Sequence, residues 1–525
     1  MDRRHVLVGM GLIPVAALAA CAPNANSGSS ASDSTASTSL SAAYSEGGTT
    51  LNPYEANDVT SDTFVVATYD QLVTYATSTE DGKPTAQTDK IVPMLATEWK
   101  ADDSATTYTF TLRDDVTFAS GNALTADDVV GSFELIRDSS SSSFLYQMAG
   151  IDSVTKVDEH TVTIALTGPN HLFLQILPLY SFSIVDTKTV KDKGGADWLA
   201  QNTAGSGPYT LKSWDPSTAA SLTARTDYWG TVPALTDVSV KFISEASNRM
   251  QLLERGESQL ITEIPAKDVE SLKKADGVTI DSRKSNKILY FAMNNAVAPF
   301  DDERVRQAVC YAIPYDKLIN DVMLGQASEM KSAVASSTPG WTDAGYDYSY
   351  DLDKAKSLLD EAGHSGGFSF DFTLGSGFQD WNDDAVLIQA SLAEIGVTMN
   401  IQNMARAQFL EALATKKLQA YISRWTSFVN DPGYHLGLLM ATDGSSNNMN
   451  YSDPQVDELL KSASTETDQD ARNKLYAQAQ ELITTDAPWA YLYEYNIVIG
   501  LRSSVKGYTS YPDGIVRFAQ LSIGE

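Results

Sequence analysis

Two periodicities take turns along this chain. In TTYTFTLRDDVTF, Tyr108, Phe110 and Leu112 occupy alternate positions, and in HTVTIALTGP Val162, Ile164 and Leu166 do the same. Each segment therefore puts its apolar side chains on one face of a strand, and both are expected to be half-buried and antiparallel. Between them, LTADDVVGSFELIRD spaces Val129, Val130, Phe133 and Ile136 along one helical face. Thr125 stands at the N-cap, and Asp127 and Asp128 lie in the first turn, where free N–H groups favour negative charge. This part of the chain reads as α+β.

Beyond Tyr350 the two periods alternate regularly. DLDKAKSLLDEAGHSGG is a helix closed by glycine; FSFDFTL, VTMNIQN and QAYISRW read as strands, separated by the helices DDAVLIQASLAEIG and AQFLEALATKKL. Strands alternating with helices imply right-handed crossovers and a parallel sheet. In such sheets ligands bind outside the carboxyl ends of the strands. Two loops leave those ends, GSGFQDWN with Ser376, Phe378 and Trp381, and the segment from Trp425 to His435 with Thr426, Ser427, Phe428, Asn430 and Asp431. These residues are candidate ligand contacts. Asp431, preceding Pro432, is expected to shape the turn.

At 525 residues the chain exceeds what one core usually serves, so two or three domains are expected, and 43% hydrophobic with 20% charged residues is ordinary globular content. A formal charge of −29 argues against nucleic acid as a partner. The cysteines are Cys21 and Cys310, too few for a disulfide framework. Cys310, inside RVRQAVCYAI, reads as a small buried hydrophobe.

The start of the chain, MDRRHVLVGMGLIPVAALAAC, has the order of a secretory signal over residues 1–20. Its apolar run is shorter than the ~20 residues of a spanning helix and contains Pro14. Leu-Ala-Ala-Cys resembles a bacterial lipobox, which implies a lipidated Cys21 and a soluble body anchored at the outer face of the cytoplasmic membrane. Arg3-Arg4 leaves both general and twin-arginine export open. Residues 21–43 are the expected lipidated cysteine and disordered tether, with the folded body beginning near Tyr44.

Catalytic signatures point away from an enzyme. Gly363-His364-Ser365-Gly366-Gly367 matches G-x-S-x-G but runs from helix into strand, the reverse of a nucleophile elbow, and reads as a helix C-cap. His5, His160, His171, His364 and His435 are scattered without metal-ligand spacing, so no metal site is expected. Walker A and dinucleotide fingerprints are absent, and no cofactor is expected. Asp383-Asp384 sits where a helix N-terminus favours acid, which explains the pair better than proton transfer does.

Several segments in one order carry a family resemblance. IVPMLATEWKADDSATTYTFTLRDDVTFASGNALTADDVVGSFELI, GSGPYTLKSWDP, YFAMNNAVAPFDDERVRQAVCYAI, YDLDKAKSLLDEAG and the Trp425 to Asp431-Pro432 spacing resemble family 5 extracellular solute-binding proteins, the peptide/nickel class serving ABC importers. The resemblance implies an α/β, two-lobed periplasmic-binding-protein-like fold of type II, with an extra subdomain in the first lobe and closure by hinge motion. Lobe one would take 44–285 and 489–525, with 65–203 inserted, and lobe two 286–488. The hinge crossings would fall near Lys287 to Asn294 and Trp489 to Tyr495. A monomer handing a small solute to ABC permease subunits is implied. Lobe one would present EANDVTSDT, with Asn57, Thr60 and Ser61 towards the ligand, and Asn294 would border the hinge.

The same resemblance shapes the ligand. Dipeptide and oligopeptide binders show a W-x-x-D pattern whose aspartate pairs with the peptide ammonium, whereas here Trp425 is followed by Thr426, Ser427 and Phe428. The arginine that some dipeptide binders use for the carboxylate would fall in GSGFQDWN, which has no basic residue. Both terminal charge anchors are therefore expected to be missing, and the ligand to be held by stacking and uncharged hydrogen bonds. A longer peptide held through its backbone is the leading reading. An oligosaccharide or other neutral solute is next, because Trp381, Trp425 and Phe428 suit sugar rings as well as they suit a rim of core aromatics. Nickel chelate or haem comes last, and a surface adhesin or chaperone-like lipoprotein is the remaining class.

Overall fold

A computed structural model of the chain describes residues 38–80, 82–511 and 513–524. The expected signal peptide, Cys21 and nearly all of the expected tether lie outside these residues. Among the described residues no helix is long and apolar enough to cross a membrane.

The alternating segments form the strands their patterns predict. Thr107–Leu112 and Thr161–Leu166 pair antiparallel, Tyr108 opposite Ile164 and Phe110 opposite Val162, inside a four-stranded sheet with Ala96–Ala101 and Ile151–Asp158. The helix Ala126–Asp138 covers it, with Thr125 and Asp128 forming a reciprocal capping box. A second, eleven-stranded sheet runs through the molecule. At one end Val397–Met404, Phe368–Gly375 and Ala420–Thr426 lie parallel, linked by the helices Gln379–Glu394 and Arg406–Ala414. Val278–Met293 then pairs antiparallel with Ala420–Thr426 on one side and Trp489–Arg502 on the other. The order continues through Leu260–Ile261, Ser39–Tyr44, Asp237–Phe242, Ala219–Ala224 and Tyr209–Asp215.

One expectation is corrected here. Residues 39–43 are not tether: Ser39–Tyr44 is an inner strand, parallel to Asp237–Phe242 and Leu260–Ile261. Leu40 and Ala42 pack into one core and Ala43 into another, so the strand is buried on both faces, which is why small residues fill it. The pairing of Val278–Met293 with Trp489–Arg502 slips between Lys284 and Ile288, opposite Asn496 and Glu494, whereas Asn294 lies past the far end of the strand. Ser285 fills the slip, donating from Oγ to the Tyr495 carbonyl at 2.6 Å.

The apolar cores follow the sheets. One runs from Ile288 to Tyr495. Another gathers residues of 54–204 but also takes Val429, Tyr434 and Leu438, so the segment after Ala420–Thr426 is clasped by the N-terminal half of the chain.

Candidate functional site

Two of the parallel strands end together, Gly375 pairing with Met404, and the third, in register through Thr373 and Tyr421, runs three residues further to Thr426. Their carboxyl ends meet a cluster of cations. The Arg406 and Arg424 guanidinium carbons lie 5.1 and 4.6 Å from the Phe378 ring centroid, and Lys287 Nζ lies 4.9 Å from that of Tyr495. None of the three forms a salt bridge among the described residues. Burial, and next the charge of Arg424, pull the Lys287 pKa down to about 8. From the other direction Glu46 faces Arg424; partial burial and then Asp58 and Glu263 hold its carboxyl above the usual range.

The expectation of missing charge anchors rested on the loop after the first parallel strand, whereas these cations stand at the other strand ends. Arg406 follows the second and Arg424 lies within the third.

Trp381 is corrected from ligand contact to core. It is 1% exposed, stacked on Phe378 at 4.2 Å, and its indole N–H donates to the Tyr495 hydroxyl at 3.1 Å, which in turn donates to Asp380 at 2.7 Å. Phe378 is the half-buried ring of that stack, and Ser376 is exposed beside it.

The loop after Ala420–Thr426 touches both halves of the chain. Asp431 caps the helix Pro432–Leu439, accepting the Gly433 N–H at 2.8 Å with Pro432 in the first turn, as the Asp-Pro pair predicts. Ser427 is buried and spent locally, its hydroxyl donating to the Val429 carbonyl at 2.5 Å and its N–H to the Asn286 carbonyl at 3.3 Å. Thr426 is half-buried, opposite Lys287. Asn430 donates to Thr88 Oγ1 at 2.9 Å and to the Ser337 carbonyl at 3.3 Å, but its buried Oδ1 has no partner among the described residues. Nor has the indole N–H of half-buried Trp425, whose ring lies 6.1 Å from Tyr434. Each such orphan costs about 1–3 kcal/mol unless something pairs with it. Phe428 meets the edge of Tyr180 at 6.0 Å.

The opposite loop is occupied by its own architecture. Asp58 caps the helix Val59–Thr68 by accepting the Ser61 N–H at 2.8 Å, and the Ser61 hydroxyl donates to it at 2.7 Å while accepting the N–H groups of Thr49 and Thr50. Ser61 and Thr60 are buried in that first turn, which corrects both as ligand contacts; Asn57 is the exposed member. The residue missed there is Asp62, 2% exposed, with Oδ1 unpartnered among the described residues. Asn294 is corrected as well. Its amide donates to the Lys416 and Leu418 carbonyls and accepts from Ala296 and Asn450. Since Met293 pairs with Ala420 and Lys287 with Thr426, it lies roughly 20 Å along the sheet from the cations.

Among the described residues no group of three His, Cys, Asp or Glu is placed to hold a metal ion. His435 is buried, and that burial takes its pKa to about 3, so the imidazole is neutral.

Comparison with known proteins agrees with this architecture. The family described as bacterial extracellular solute-binding proteins, family 5 Middle, matches residues 90–447. The chain is 29% identical over 472 residues to the probable D,D-dipeptide-binding periplasmic protein DdpA of Escherichia coli, covering 88% of this chain and 90% of that one. It is 30% identical over 460 residues to heme-binding protein A of Haemophilus influenzae, covering 82% and 84%. Among solved structures, the ABC transporter-associated periplasmic binding protein DppA of Helicobacter pylori, in complex with the peptide STSA, superposes with a TM-score of 0.80 at 28% identity, over 93% of this chain and 98% of that one. The fold is that of the two-lobed periplasmic binding proteins. The chain belongs to the bacterial extracellular solute-binding proteins, family 5.

Proposed function

We propose that this protein captures an oligopeptide between two lobes and delivers it to an ABC import permease. The observation that carries the reading is the trio Lys287, Arg406 and Arg424, unpaired by carboxylates among the described residues at the carboxyl ends of three parallel strands. Cations in that position suit an anionic end of a ligand, such as a peptide carboxylate. The relatives named for dipeptides and the structure holding STSA support a peptide. The neutral-sugar reading loses one of its three rings, since Trp381 is buried.

Lobe one is assigned 39–285 and 489–525, with 65–203 as its insert, and lobe two 286–488. A core that begins at Ile288 supports the first boundary, and Trp489 to Tyr495 pack into that same core where the chain returns to lobe one. A ligand touching both lobes stabilises the closed state by its differential contacts, and closure is what a permease reads. We place the protein outside the cytoplasm as a monomer, lipid-anchored through Cys21; a Cys21→Ser variant loses incorporation of labelled fatty acid. The whole protein acts as a carrier, not an enzyme, so bound peptide is returned uncleaved.

Native mass spectrometry of protein purified from its own source tests the ligand. Co-purifying masses are expected to fragment as peptides. A carbohydrate or porphyrin mass overturns the reading.

A further inference from the structure

We propose that Asp62, with the rings of Tyr180 and Phe428 beside it, binds the ammonium end of the ligand. Phe428 stands where the family pattern has the ammonium-binding aspartate, and it meets Tyr180 edge to face at 6.0 Å and 82°. Tyr180 packs against the helix that carries Asp62, and its hydroxyl faces that carboxyl. Asp62 is 2% exposed and its Oδ1 has no partner among the described residues. It also has no counter-ion there. The cation closest in influence, Arg517, is held by Asp513 through two hydrogen bonds of 2.6 Å.

A carboxyl with a free oxygen, faced by the Tyr180 hydroxyl whose ring in turn meets Phe428, matches an ammonium in charge and in hydrogen bonding, and the ring pair offers it cation–π attraction. Its place in the first turn of the helix Val59–Thr68 favours the ionised form once the cation arrives. Without one, burial and then Asp58 hold its pKa well above the ordinary carboxylate range, which favours the neutral form when it is unpaired. Ammonium binding therefore expels a proton. The acid that this chain lacks at Phe428 is supplied from the opposite lobe.

The inference rests on the peptide reading, and the probes separate the two. The tetrapeptide Ser-Thr-Ser-Ala and its N-acetyl form are titrated into wild type and Asp62→Asn. The free amine is expected to bind wild type at least about tenfold tighter, and the difference to collapse in Asp62→Asn with the acetylated form unchanged. A preference that survives in Asp62→Asn overturns the proposal. Should that variant not fold, calorimetry of wild type in buffers of different ionisation enthalpy decides: proton release with the free amine and none with the acetyl form supports it, and equal release overturns it. If neither peptide binds wild type, the peptide reading fails, and phenethylamine then tests Asp62 alone. Thermal stabilisation by it that is lost in Asp62→Asn supports the ammonium site, and no stabilisation of wild type overturns it.

Discussion

His171 Nε2 lies 3.3 Å from Asp431 Oδ1, bringing together residues 260 positions apart. The imidazole is clasped further: Tyr476 OH is 3.3 Å from the same nitrogen and the Ser464 carbonyl 3.3 Å from Nδ1. In the proposed lobe assignment His171 belongs to the insert of lobe one and its three partners to lobe two, so on that assignment the contact spans the two lobes. His171→Ala is expected to weaken ligand binding about three- to tenfold through faster release, with little change in unfolding free energy. Asp431 carries a second load as helix cap. Asp431→Ala should cost about 1–2 kcal/mol of stability and Asp431→Asn much less, since asparagine caps as well. Stopped-flow release and urea unfolding separate the two roles.

Lys287 gives the site a pH dependence. Its pKa of about 8 lies below the ordinary 10.5, so between those values the unfolded chain holds a proton that the native protein has released. Stability contributed by this group therefore rises with pH through that window, and the penalty is present in full below about 8. Binding runs the other way, because an anionic ligand needs the charge. Affinity for an N-acetylated peptide with a free carboxylate, whose own amine cannot titrate, should fall as pH rises from 7 through about 9.5, and the fall should vanish in Lys287→Met. Calorimetric titration across that range checks it, and a flat profile in wild type would remove Lys287 from the site.

Arg406 and Arg424 make a sharper statement about the ligand. Both guanidinium groups sit against one Phe378 ring, and each raises the cost of leaving the other unpaired. Arg424→Gln is expected to lower affinity for Ser-Thr-Ser-Ala about tenfold and to leave its C-terminal amide unaffected. Arg406→Gln should act in the same direction. If the amide and the acid bind wild type equally, the cations serve something other than a peptide carboxylate.

How much of this was legible follows from where each signal lives. Tyr108, Phe110 and Leu112 announce their strand because one face is wet; Asp431-Pro432 announces a helix start because capping chemistry is local. Parallel strands from Phe368 to Thr426 were readable from alternation of period, and with them the ligand face. Ser61 and Asn294 misled because polar side chains that satisfy the backbone look, in sequence, like those that await a ligand, and Thr60 because it is buried in the same helical turn. Asp62 and Arg406 were passed over for the opposite reason. Whether a charge is unpaired depends on neighbours hundreds of positions away, such as Asp513 claiming Arg517.

Phe428 offers a test of that distant pairing. Phe428→Asp restores the family's carboxylate next to the Tyr180 edge. On the Asp62→Asn background it should recover the preference for a free amine over N-acetyl Ser-Thr-Ser-Ala, to within about threefold of wild type. Alone, it sets two carboxyls on one cation and should bind short peptides better than wild type. No gain in either background would mean that the loop does not reach the ligand's amino end.

The strand Ser39–Tyr44 supplies the last prediction, because its composition imitates a linker. Ser41-Ala42-Ala43 has little to bury by itself, yet Ala42 and Ala43 are fully enclosed on opposite faces. Small size is the requirement there: Ala43 packs among Leu253, Ile261, Ile264, Val269 and Leu272, with no room for a branched chain. Ala43→Leu should therefore destabilise by about 1–3 kcal/mol through overpacking, and Ala42→Leu by a similar amount through the other core. A tether would tolerate both within about 0.5 kcal/mol. Urea midpoints at constant m-value decide between them, and the two effects should add, since the substitutions face different cores.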